Sequence, residues 1–156
     1  MERGKLWRTA FGNNLRLLEL NGAGMTPELA AQRSASGVAS AAWIVGHLVH
    51  ARRRIVKLLG GAITEDSVWE QHYARGGPGA TAHLDWAGLI AAFQSTDQEL
   101  KAACQQMADW DRPTTNPALG LEQPLEQVLV FLYMHECYHL GQIGLIRKLH
   151  GLPGAI

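Results

Sequence analysis

Neither charge nor cysteine is in excess in this chain. Fourteen basic side chains are balanced by fourteen acidic ones over 156 residues. Such a chain lacks the basic stripe that holds nucleic acid and the polybasic patch that docks on anionic lipid. Neither partner is therefore expected. The only cysteines, Cys104 and Cys137, stand outside any CxxC pattern, so no disulfide framework is expected. No apolar run reaches the roughly 18 residues that a bilayer-spanning helix needs. The opening MERGKLWRTAF has no signal-peptide core. Together these absences predict a soluble, cytoplasmic protein. Repeats, low-complexity tracts and linkers are absent too, so residues 1–156 are read as one domain. The short basic run Arg52-Arg53-Arg54 reads as a solvated helix face.

What is present is helical periodicity. Trp7, Phe11, Leu15 and Leu18 mark a first helix over about residues 5–20, stopped by Asn21-Gly22. Thr26 and Pro27 suit the cap and first position of a short extra turn. A second helix is expected from about Val38 to Leu59, its apolar stripe formed by Ile44, Leu48, Ala51, Ile55 and Leu58. Asp85 is a plausible cap for a third, about Trp86 to Ala108. A fourth runs from Pro124 to Gly151, with Pro at its start and Gly151 and Pro153 at its end. The connection from Gly60 to about Leu84 is much longer than the ~2–8 residues usual in a bundle, which suggests a crossover and parallel second and third helices. Trp69, His72 and Tyr73 suggest that part of this connection packs onto the bundle. Residues 109–123 read as a loop. The expected fold class is all-α, a four-helix bundle.

The chemistry concentrates in the fourth helix, where His135-Glu136-Cys137-Tyr138-His139 sets two histidines one turn apart. With His139 at zero, Val128, Leu132, His135, Ile143 and Ile146 all lie within about 40° of it, so both imidazoles point into the core. A buried imidazole must satisfy two ring nitrogens. On the second helix His47 falls about 60° from the stripe's centre and His50 about 120°, which places His50 among Arg53, Arg54 and solvent. His47, His135 and His139 are thus the candidate ligands of one divalent metal ion, Zn²⁺, Ni²⁺ or Fe²⁺. Three neutral histidines leave positions open for substrate. The bland alternative is three separately hydrogen-bonded core histidines. Glu136 and Gln142 each lie about 60° from His139 and are candidate supporting residues, to orient a ligand or brace a histidine. Gln142 fits equally well as a bond to a neighbouring helix or loop.

Rival sites fit less well. HExxH is the zincin motif, but the third histidine of the extended form would fall at Leu145, and no later helix can supply a glutamate ligand. A di-iron carboxylate site needs acids on neighbouring helices, and the second helix has none. Cys137 lies about 160° from His139 and reads as a small buried hydrophobe. Val130, Tyr133, Met134, Cys137 and Leu145 make the outer side of the last helix apolar as well, which suggests a homodimer packed partly through this face.

Trp43-Ile44-Val45-Gly46-His47-Leu48 and the string His135 to Ile143 (HECYHLGQI), followed by Leu145-Ile146-Arg147-Lys148, resemble the DinB-like family of bacterial four-helix bundles over nearly the whole chain. The resemblance implies an up-down-down-up bundle and places the family's metal triad on His47, His135 and His139. It also implies an activity. Characterised members include S-transferases and isomerases that use low-molecular-weight thiols such as bacillithiol, mycothiol or glutathione. The leading expectation is therefore a metal-dependent, thiol-using transferase acting on a small electrophile. The alternatives are a metal-dependent hydrolase and a non-catalytic metal-binding or stress-response protein.

Overall fold

The computed structural model describes residues 2–33, 39–63, 67–77 and 85–156. Its order is α1 (Arg3–Gly22), α2 (Pro27–Ala31), α3 (Ala41–Leu58), α4 (Ser67–Tyr73), α5 (Trp86–Gln106), β1 (Pro113–Thr115), β2 (Glu122–Pro124) and α6 (Leu125–Leu149). The four long helices α1, α3, α5 and α6 form the bundle.

Local chemistry sets their ends. Thr26 accepts from the Leu29 amide at 3.3 Å, Ser40 from Trp43 at 3.2 Å and Asp85 from Gly88 at 2.8 Å, each satisfying an N–H that the first turn leaves unpaired. Ser40 starts α3 later than the sequence pattern suggested, and Val38 lies outside the described residues. The last helix begins at Leu125 because Pro124 still pairs with Pro113 across the hairpin. That hairpin occupies part of the expected loop over residues 109–123. Asn116 closes it, accepting from the amides of Ala118 and Leu119, while Gly120 takes a positive φ of 68°.

Two apolar clusters fill the bundle, one around Ile44, Phe93 and Ile143, the other around Phe11, Ile55 and Leu129. α1 and α6 run from the second cluster to the first, and α3 and α5 run from the first to the second. α1 and α3 each pack against both α5 and α6.

An ionic layer lies between the clusters. Arg52 is fully buried, a correction to its reading as part of a solvated face. Its Nε and Nη2 donate to the two Glu136 oxygens at 2.9 and 2.7 Å, Nη1 donates to Asp97 at 3.1 Å, and Nη2 also donates to the Phe11 carbonyl at 2.8 Å. Lys101 completes the charge balance, 2.6 Å from Asp97. The guanidinium lies 3.9 Å from the Phe93 ring centroid. The buried face of α3 is centred on Leu48, Arg52 and Ile55, and Ala51 and Leu58 stand at its edge.

Candidate metal centre

α3 and α6 bring His47, His135 and His139 together, half-buried, with one ring nitrogen of each within 4.8 Å of the others. Nε2 of His135 lies 3.2 Å from Nε2 of His47 and 3.1 Å from Nε2 of His139. The outer nitrogens fix two tautomers. His47 Nδ1–H donates to the Tyr73 carbonyl at 2.7 Å, and His139 Nδ1–H donates to Gln142 Oε1 at 2.7 Å. With Nδ1 protonated on both rings, each presents a bare lone pair at Nε2. Burial holds all three rings below the ordinary imidazole pKa; His135, buried and facing the other two, is pushed down to about 4. All three are neutral at pH 7.

This arrangement fits a metal ion. A proton on His135 Nε2 satisfies only one of the two lone pairs facing it, whereas one cation satisfies all three nitrogens. Zinc–imidazole bonds of about 2.0–2.1 Å at tetrahedral angles put ligand nitrogens about 3.3 Å apart, close to the spacing observed. His135 Nδ1 is buried without a hydrogen-bond partner among the described residues, so this ring is the least constrained of the three.

Packing orders the site from outside α6. Trp43 stacks on His47 one turn away, at 4.9 Å between centroids and 8° between planes. Tyr73 is fully buried against Gly46, where a Cβ would stand 2.1 Å from its ring. Only glycine at 46 lets α4 approach closely enough for the Tyr73 carbonyl to reach His47. The Gly-His dipeptide was visible in the sequence, but its acceptor was not.

Gln142 is at the site, bonded to His139. Glu136 is turned away: its carboxylate is held by Arg52 and is 2% exposed, and among the described residues no hydrogen bond joins it to a histidine. His50 is also placed differently from the expectation. It is buried at 7% exposure because α4 covers it, and its Nε2 lies 3.4 Å from Glu70. Cys137 faces Asn14 on α1 at 3.6 Å, and Tyr133 packs edge-on against Phe11 and Trp7. Both therefore leave the outer face proposed for a partner, on which Val130, Met134 and Leu145 remain exposed.

The histidines line a cavity of about 530 Å³ that opens between α3, α6, the turn after α4 and the hairpin tip. Trp43, Leu119, Phe131 and Tyr138 supply apolar wall, and Arg54 and Arg75 supply charge.

The model of the DinB superfamily matches residues 16–143. Among solved structures, the chain is similar to YfiT from Bacillus subtilis, described as a probable metal-dependent hydrolase with an unusual four-helix bundle topology. The two share 16% identity and superpose with a TM-score of 0.72 over 98% of this chain and 90% of that one. Among curated proteins, nothing matches.

Proposed function

Since the chain belongs to the DinB superfamily, we propose that it is a divalent-metal-dependent enzyme acting on a small molecule in this cavity. The observation that carries the reading is the convergence of three Nε2 atoms at the cavity wall, two of them, on His47 and His139, held unprotonated by the bonds their Nδ1–H groups donate. His47, His135 and His139 would hold the ion, with the Tyr73 carbonyl and Gln142 keeping two of the rings in the ligating tautomer. A divalent cation supplies Lewis-acid activation of an oxygen or sulfur ligand when bound.

The nucleophile comes from outside the chain. Cys137 is turned to Asn14. Cys104 is buried, which pushes its thiol up to about 11. Glu136 is held by Arg52. No Asp or Glu side chain lines the cavity among the described residues. The primary reading is hydrolysis, with water as nucleophile. It needs one organic substrate, and the similarly folded YfiT is described as a probable metal-dependent hydrolase. The second reading, transfer of a low-molecular-weight thiol to an electrophile, is favoured by a cavity large enough for an extended ligand.

The test is metal analysis of protein purified without chelators, followed by zinc, nickel and iron titration, ester and amide hydrolysis assays, and thiol-transfer assays. His139→Ala is expected to lose the metal and His50→Ala to keep it. Equal loss in both would move the third ligand off His47. No uptake of any of the three metals would end both readings. The same reading retains a second copy of the chain as partner on the outer face of α6. A monomeric mass by light scattering would remove it.

A further inference from the structure

The cavity is electrostatically one-sided although the chain as a whole is neutral. Two guanidiniums, Arg54 and Arg75, face it, and neither forms an ion pair among the described residues. Both residues are exposed, so their cost of desolvation is low and their charge remains available to a ligand. Among the described residues no carboxylate lines the cavity itself; Glu70, 71% exposed, lies outside it in a neighbouring pocket that Arg54 also lines, 3.4 Å from His50 Nε2.

Helix geometry places this charge relative to the histidines. Arg54 follows His47 by seven residues, about 20° short of two full turns, so both project from the same side of α3 with their Cα atoms about 10 Å apart. Between them Ala51 and His50 also line the cavity, and the small side chain of Ala51 leaves room on that side. Phe131 and Leu132 on α6 form the facing apolar wall. Along α3 the lining thus runs from the histidine site past Ala51 and His50 to Arg54, with Phe131 and Leu132 opposite, while Arg75 lines the cavity from the turn after α4.

We propose that the cavity binds an elongated small molecule with a terminal oxyanion, a carboxylate or a phosphonate-like group, which Arg54 and Arg75 receive. Its apolar middle packs on Phe131 and Leu132, and its reacting group lies at the histidines. Only this last placement rests on the metal-dependent reading. Guanidinium–oxyanion contacts combine charge with paired N–H donors, which lysine does not reproduce. Both arginines thus select substrates by charge, and Arg54, about 10 Å along α3 from His47, by length as well.

The experiment uses bifunctional probes on the zinc-loaded full chain. Octanedioic acid monohydroxamate carries a metal-binding group at one end and a carboxylate at the other; its monoamide analogue carries no charge there. Isothermal titration is expected to show the carboxylate probe binding about tenfold tighter than the amide, as charge-assisted hydrogen bonds allow. The preference should shrink as salt rises and fall to about one- to twofold in R54Q/R75Q, whose circular dichroism should match the wild type. A phosphonate-ended probe then shows which oxyanion is preferred. Equal binding of acid and amide, or a preference that survives in R54Q/R75Q, would overturn the proposal. The metal reading fails separately. If the histidines take up no zinc, the same acid–amide comparison on the metal-free protein, read by NMR shifts at millimolar probe, still tests the arginine end, and its loss in R54Q/R75Q is again the supporting result.

Discussion

Two residues with no place in the proposed chemistry hold the histidines in register. Gly46 is one. A methyl group there would meet the Tyr73 ring at 2.1 Å, so α4 would have to move and take the carbonyl away from His47 Nδ1. Gly46→Ala is expected to destabilise the fold by about 1–3 kcal/mol, the usual range for overpacking, and to weaken zinc binding. Urea unfolding and zinc titration of the same variant check both effects. Arg52 is the other. It uses four N–H donors on Glu136, Asp97 and Phe11, and its removal strands two buried carboxylates beside one lysine. Arg52→Met is expected to cost about 3–5 kcal/mol in denaturant unfolding, the range for breaking a buried ion pair from one side. Its sequence signal was position. Residue 52 follows Leu48 by four and precedes Ile55 by three, so a charge stood on the apolar stripe itself, and such a charge needs a buried counter-ion.

At the scale of elements, the long helices were legible because burial on one side leaves a 3.6-residue signature in the chain. The hairpin of β1 and β2 left no such trace. Three-residue strands are too short for a period, and the turn at Asn116 and Gly120 reads like any loop. α4 was legible only as aromatic residues in a long connection, and its effect fell elsewhere, on His50. Local arithmetic put that ring towards solvent, but a distant segment buried it. The packing of α3 on α6 also sets a pH dependence. In the fold, burial holds the three site histidines below the ordinary imidazole pKa, to about 4 for His135. In the unfolded chain they titrate near about 6.5. Between those values the unfolded state binds more protons, so the metal-free protein loses stability as pH falls from about 6.5 towards 4. Above pH 7 these rings contribute no slope. Urea midpoints of chelator-treated protein across pH 4–8 check this, and His135→Phe should flatten the acid side of the curve.

For the whole molecule, a ligand that binds only the folded state raises its stability. At free zinc about 100 times the dissociation constant, the gain is about 2.7 kcal/mol. For a domain of this size that corresponds to a rise in Tm of about 5–10 °C. Differential scanning calorimetry should show the rise, its reversal by chelator and its absence in His139→Ala. A zinc effect that persists in His139→Ala would place the metal elsewhere.

The chain by itself determined the number and type of its long helices, the histidine pair one turn apart on α6 and the face of α3 from which His47 meets that pair. All of these follow from periodicity and short-range spacing, which local geometry converts directly into faces. Tertiary structure alone decided that Arg52 is core, that Glu136 serves Arg52 instead of the histidines, and that His50 lies beneath α4. It also decided that the Tyr73 carbonyl sets the tautomer of His47. Each of these depends on a partner between 20 and 84 residues away in sequence, and no local period records which distant segment will supply it.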